Sequence, residues 1–386
     1  MKKSIIILAA LIGTTAISCK KEGCTDSTAN NYNSKAKKDD GSCTYDANTV
    51  VPVAYTTPST FEFTDANGNS TVSFSGQTNR LDKLSEMVTY MKTGKSTVVD
   101  AVQMKDMFGD NVGQYFTDPL LNASTKQLKN KCFPADVATF ETFMDELATA
   151  SIDNAEVAAN GQAGTLSSGT STYLFDANGI EKVQLVEKGL MGAVFLNQAL
   201  NTYFGADKMD VDNTTAVDSD GGKYYTLMEH HWDEAYGYFT DAIDYPTSGT
   251  DRFWGKYCNK QDGNINCNAD MMDNLLMGRA ALSSDVLTDR DAAIATIRTE
   301  WEDISANQAM TYLDESIPYF GSDNAKFLHV LAEAWAFAWN LRYAPVETRR
   351  MSVAEHTALM GMFKANFWEM TVADVNAIKA EIDAKY

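Results

Sequence analysis

An all-helical domain behind a short flexible leader is the fold this sequence predicts, and three observations predict it. Apolar residues recur at helical spacing through most of the chain after about residue 75. Only seven prolines interrupt 386 residues, which suits long unbroken helices. Hydrophobic residues make up 44% of the chain, enough for a large core once the polar leader is set aside.

The leader comes first. Lys2 and Lys3 precede an apolar run from Ile5 to Ile12, and small residues follow as far as Cys19, the pattern of a bacterial export signal. The run is far shorter than the roughly 20 apolar residues a spanning helix requires, so membrane attachment has to come from another source. Ala16-Ile17-Ser18-Cys19 resembles the lipobox of bacterial lipoproteins. That resemblance implies cleavage before Cys19 and acylation of Cys19, placing residues 1–18 in a signal peptide and the mature chain on a membrane.

Residues 19–54 read as a lipidated, flexible tether. Lys20 to Thr49 is rich in Lys, Asn, Asp, Ser and Gly and nearly devoid of apolar residues, a composition that builds no core. The segments from Gly23 to Asn33 and from Asp39 to Tyr45 resemble a small disulfide-closed module of surface and secreted proteins in Gram-negative bacteria. Asp26, Asp39 and Asp40 are oxygen donors of the kind Ca²⁺ prefers, although a metal-free loop is the simpler reading. In an exported chain the six cysteines divide into lipidated Cys19, a Cys24/Cys43 pair, a Cys258/Cys267 pair and a buried Cys132 thiol.

The helical domain is expected over residues 55–386, as one body or two packed bundle halves. It opens with a short hairpin, because Phe61-Glu62-Phe63 and Val72-Ser73-Phe74 alternate around Asp65-Ala66-Asn67-Gly68-Asn69. Leu81, Leu84, Val88 and Met91 form one helical stripe, and Val137, Phe140, Met144 and Leu147 form another. Thr288 with Asp291, Ser352 with Glu355 and Thr371 with Asp374 have capping-box spacing. Residues 158–172, 205–222 and 247–269 read as loops, and no fixed-period repeat appears.

Charge and motifs narrow the function. A formal charge of −20, more negative once Lys2 and Lys3 are removed, disfavours attraction to nucleic acid or anionic lipid. There is no His-Glu-x-x-His, no Gly-x-Ser-x-Gly elbow and no phosphate loop.

Four histidines are scarce enough to track individually. His231 shares a helix face with Leu227, Met228, Ala235 and Tyr238, and Glu234 lies three residues on. Such an i, i+3 pair can present imidazole and carboxylate to one metal. His329 and Glu333 are i, i+4 neighbours among small residues, and Glu187 places a carboxylate within the apolar stripe of Val183, Leu190, Met191 and Val194. If their helices adjoin, Glu187, His231, Glu234, His329 and Glu333 could form a mixed nitrogen and oxygen site for Fe or Zn. Buried hydrogen-bonded pairs that set helix register are the competing explanation.

The stretches Glu187 to Ala193, Glu229 to Ala235 and Phe253-Trp254-Gly255-Lys256 resemble a family of bacterial lipoproteins carrying a domain of unknown function, over about Tyr55 to Tyr386. More distantly, His231 and Glu234 match the end of the Gly-x-His-x-x-Glu motif of imelysin-like proteins, with Glu229 in place of the glycine. The resemblance implies an imelysin-like up-and-down helical bundle with a role in iron or ligand binding. The expected function is therefore a non-catalytic lipoprotein of the cell envelope, anchored to the outer membrane, with an outer-membrane uptake system as a partner. Two other readings are an imelysin-type metallopeptidase, with Glu234 as base on metal-bound water, and a surface glycan-binding or adhesion lipoprotein.

Overall fold

The computed structural model describes residues 21–27, 29–46, 48–246 and 251–386. The export signal and Cys19 lie outside the described residues. The chain divides into two compact units, Met1–Thr49 and Val50–Tyr386.

The first unit is stapled by a Cys24–Cys43 disulfide. Tyr45 donates its hydroxyl to Asp26 at 2.6 Å, while Asp39 and Asp40 each accept the backbone N–H two residues on, from Gly41 and Ser42. The three acids considered for calcium are thus engaged in turn and tyrosine hydrogen bonds.

The second unit is mostly helical, with thirteen α-helices among the described residues. They are α1 (Ser75–Lys92), α2 (Ala101–Phe108), α3 (Pro119–Ala123), α4 (Val137–Ile152), α5 (Lys182–Leu190), α6 (Ala206–Met209) and α7 (Leu227–Phe239). The remainder are α8 (Phe253–Ile265), α9 (Cys267–Ser283), α10 (Leu287–Ser316), α11 (Asn324–Asn340), α12 (Val353–Met362) and α13 (Val372–Asp383). Side-chain caps start many of them: Asp100, Asp118 and Asp323 each accept a first-turn N–H, and Thr226, Ser352 and Thr371 form full capping boxes.

Two of the three expected boxes are present. The Thr288 box is not, because α9 closes through Val286 N–H donating to the Ala281 carbonyl, with Asp285 left-handed at φ 57°. Helix α10 therefore begins at Leu287, and Thr288 falls inside its first turn.

The long helix α10 packs between α9 and α11, and α11 in turn lies on α5. Trp301, Ile304, Ala309 and Leu313 of α10 are completely buried. Past Leu190 the rod of α5 continues as two wide π-helical stretches, Met191–Leu196 and Gln198–Tyr203. Widening releases backbone groups, and the Asn340 amide supplies a donor to the Lys188 carbonyl at 2.9 Å. Gly192 makes room for this, since a Cβ there would lie 2.0 Å from Asn340 Oδ1.

The turn expected at Asp65–Asn69 forms, with only a minimal antiparallel pairing around it. The segment from Phe61 to Phe74 holds one bridge, Thr64 to Ser70, around a turn capped by Asp65. Phe61 and Phe74, one on each flank, meet edge to face and both pack on Tyr236, Phe61 stacking at 3.5 Å. Two small antiparallel ribbons form that were not expected: β1 (Gly164–Ser168) with β2 (Ser171–Phe175), which starts in the 158–172 segment and runs past it, and β3 (Ala216–Asp218), inside the 205–222 segment, with β4 (Lys223–Thr226), beyond it.

The Cys258–Cys267 disulfide is also corrected. Both residues are fully buried free thiols, and Cys267 Sγ donates to the Cys258 carbonyl at 2.9 Å. Left-handed Asn266 ends α8 and begins α9 in one residue, which turns the Cys267 side chain onto the α8 backbone. Cys132 is a buried thiol as expected.

A buried ionic clasp fixes α9 against α7 and the 61–74 turn. Fully buried Arg279 reaches Asp233 at 2.8 Å, Glu229 at 2.7 Å and the Thr71 carbonyl at 2.9 Å. Replacing Arg279 with Met strands two buried carboxylates, so chemical denaturation should show a loss of about 3–5 kcal/mol. Beside it, a Cβ on Gly278 would lie 2.1 Å from the Trp232 ring, so Gly278→Ala should cost about 1–3 kcal/mol by overpacking in the same assay. An unchanged midpoint for either variant contradicts these contacts.

Candidate functional site

A buried row of charged side chains lies where α5 meets α11. The Lys188 ammonium is buried, 2.7 Å from Glu187 Oε1 and 3.9 Å from Glu333 Oε1, and lies over the Tyr257 ring at 5.5 Å. Glu187 Oε2 also meets Lys92 of α1 at 2.9 Å. Glu333 accepts the Tyr312 hydroxyl at 3.1 Å, and its Oε2 lies 3.4 Å from His329 Nε2. His329 Nδ1 donates to Glu181 Oε2 at 2.5 Å, and the imidazole stacks on Tyr173 of β2 at 4.2 Å. Lys92, Glu187, Lys188, Glu333, His329 and Glu181 thus form a chain in which each acid lies between nitrogen groups or ends the row, as charge burial demands.

Electrostatics follow from this order. Burial works to raise the Glu187 carboxyl, but Lys188 and Lys92 overcome it and hold the group at about 2. Burial pulls the Lys188 ammonium down, yet Glu187 and Glu333 bring it above its ordinary value. Burial raises the Tyr257 and Tyr312 phenols well above the ordinary range, so Tyr312 keeps the proton it donates to Glu333.

One end of the chain opens into a cavity of about 310 Å³ beneath the β1–β2 ribbon. His329, Glu181 and Lys92 reach it together with Met91, Leu147, Tyr173, Leu174 and Val183, and exposed Lys95 stands at its edge. Gln184 is the residue there with an unmet requirement. It is 4% exposed, its Nε2 makes a long 3.5 Å contact to Glu181, and its Oε1 has no hydrogen-bond partner. A buried carbonyl without a donor costs about 1–3 kcal/mol, and a bound molecule could supply that donor.

His231 and Glu234 belong to a different group. Buried His231 donates Nδ1–H to the Lys208 carbonyl at 3.0 Å, and burial lowers its basicity. Glu234 Oε1 accepts from Gln77 Nε2 at 3.1 Å and from the Tyr203 hydroxyl at 3.0 Å. His230, rather than His231, is its ion-pair neighbour, at 4.0 Å. The Tyr238 hydroxyl is fully buried nearby, beside Gln77 and Arg80.

The five residues expected to share an ion are therefore divided. Glu187, Glu333 and His329 lie along one chain, with Lys188 placed between the first two carboxylates where a shared cation would sit, while His231 and Glu234 serve separate hydrogen bonds. Among the described residues no three His, Cys, Asp or Glu side chains converge as a metal-ligand set. Sequence reasoning missed Glu181, Gln184, Lys188 and Tyr173. Lys188, next to Glu187 on a helix buried nearly all round, was open to inference, whereas Tyr173 arrives from an unforeseen ribbon.

These features define a mostly helical protein with a ligand-sized cavity at the end of a buried ion chain. The chain belongs to a family described as a domain of unknown function, DUF4856, which matches residues 58–386. No curated protein and no solved structure matches it.

Glu187 sets a pH signature. Its carboxyl is more acidic folded than unfolded, so its stabilisation is present above about pH 4.5 and disappears as pH falls towards 2. The shift corresponds to about 3 kcal/mol. The stability gap between wild type and Glu187→Gln, from urea titrations, should be widest near neutral pH and narrow below about pH 4; a gap independent of pH contradicts the ion pairing.

Proposed function

We propose that this chain is an exported protein, lipid-anchored at Cys19 to the outer membrane, that binds a small ligand in the cavity beneath β1–β2 and performs no chemistry on it. The observation carrying the ligand-binding reading is the unpaired Gln184 carbonyl on the cavity wall. Mixed apolar and polar walls with few orienting groups are the usual makeup of a small-molecule site. The export pattern Lys2-Lys3 and Ala16-Ile17-Ser18-Cys19 supports the anchoring, and among the described residues no helix is long and apolar enough to cross a membrane.

The wall specifies the ligand's chemistry. Gln184 Oε1 takes a hydrogen-bond donor, such as an amine, amide or hydroxyl, and Lys95 at the edge favours an acceptor or negative group on the same molecule. Glu181 and His329 are already each other's partners, so a metal enters this reading as a complex presenting outer donors rather than as a bare ion. An uptake system in the same membrane is the natural partner for such a binder.

Mature protein purified without a polyhistidine tag should release a small molecule into organic extract, detected by mass spectrometry, and should leave unfolded casein uncut. Gln184→Leu should fold with equal or greater stability, since it removes an unmet acceptor, and yet lose the co-purifying molecule, while Glu234→Gln retains it. Casein cleavage that requires added zinc and disappears in Glu234→Gln would replace this reading with the metallopeptidase. Retention of the molecule in Gln184→Leu would remove the cavity from consideration.

A further inference from the structure

A second cavity, of about 330 Å³, lies between the C-terminal end of α11 and α12, remote in sequence from Gln184. Phe133, Trp339, Met351 and Met360 give it apolar walls, and Arg342 and Arg349 line it beside them. We propose that it binds small amphipathic carboxylates, with Arg349 receiving the acid group and the apolar walls receiving the body of the molecule.

The two arginines differ in what they already hold. Arg342 stacks on Trp339 at 4.4 Å and lies 3.3 Å from Asp136, which also accepts the Tyr343 hydroxyl at 2.7 Å. Its charge is largely committed to the fold. Arg349 is half-buried, and among the described residues its side chain makes no hydrogen bond and no ion pair. Its backbone N–H donates to the Pro345 carbonyl at 2.8 Å, which fixes the stem of the side chain beside the cavity.

In a chain with 52 acidic and 32 basic residues, a half-buried arginine with no carboxylate partner among the described residues is placed to receive an anion. His356 does not compete for the anion. Burial lowers its basicity, with Arg342 and Arg349 adding to the effect, and its Nε2–H donates to the Ala338 carbonyl. A planar guanidinium takes a carboxylate by two parallel hydrogen bonds, and the largely apolar walls select an anion with a hydrocarbon body over a fully hydrated one.

The test uses phenylbutyrate, phenylbutanol and phenylbutylamine with the full mature protein, by saturation-transfer NMR and calorimetry. Phenylbutyrate should bind saturably with a Kd on the order of millimolar, with the alcohol at least about tenfold weaker and the amine weaker still. Arg349→Gln should reduce phenylbutyrate affinity about tenfold and erase the preference over the alcohol, and Arg349→Lys should restore part of it. Equal binding of acid and alcohol, unchanged affinity in Arg349→Gln, or no saturable binding overturns the proposal; should Arg349→Gln fail to fold, Arg349→Lys and the acid–alcohol comparison decide it.

Discussion

A single ammonium group, Lys188, carries a structural burden out of proportion to its size. Burying it requires compensating negative charge at short range, and Glu187 beside it and Glu333 across the helix interface provide that charge. Each carboxylate then needs its own second partner, and Lys92, Tyr312 and His329 are recruited from α1, α10 and α11. The result pins four helices in one register. It also explains why a carboxylate sits in the apolar stripe of α5, a position where an isolated acid would be expelled.

The same logic operates at Arg279, with a different outcome. There the guanidinium satisfies Asp233, Glu229 and Thr71 completely, and the group is sealed from solvent. The Lys188 chain instead ends at an opening, through His329 and Glu181, and leaves the neighbouring Gln184 carbonyl unanswered. One clasp is finished architecture; the other terminates at a wall that can receive a guest.

Much of the fold was legible because helices advertise themselves locally. The stripes of Leu81 to Met91 and Val137 to Leu147, and the Ser352 and Thr371 caps, depend on residues within one or two turns. The β1–β2 ribbon was hidden by its short alternation and its Gly and Ser content, so Gly164 to Thr172 resembled loop. The candidate site was half legible. Glu187, His329 and Glu333 announced themselves as charges on apolar faces, but the partner of each was a matter of tertiary distance. Spacing alone could not distinguish three acids and bases gathered around a metal from the same groups gathered around a lysine. His231 and Glu234 show the converse error, since sharing a helix face did not make them share a partner when Lys208, Gln77 and Tyr203 were closer to hand.

The widened helical stretch from Met191 to Tyr203 has a geometric corollary. One continuous rod bears Glu187 and Lys188 near its head and Tyr203, the donor to Glu234, at its tail. Winding the same residues as an ordinary α-helix, without the wide turns that absorb the extra residues, would swing the tail by about 100° relative to the head for each residue absorbed. Either the upper charges or the lower tyrosine would then face the wrong way, so the two polar centres behave as opposite ends of one camshaft: neither can be retimed without disturbing the other.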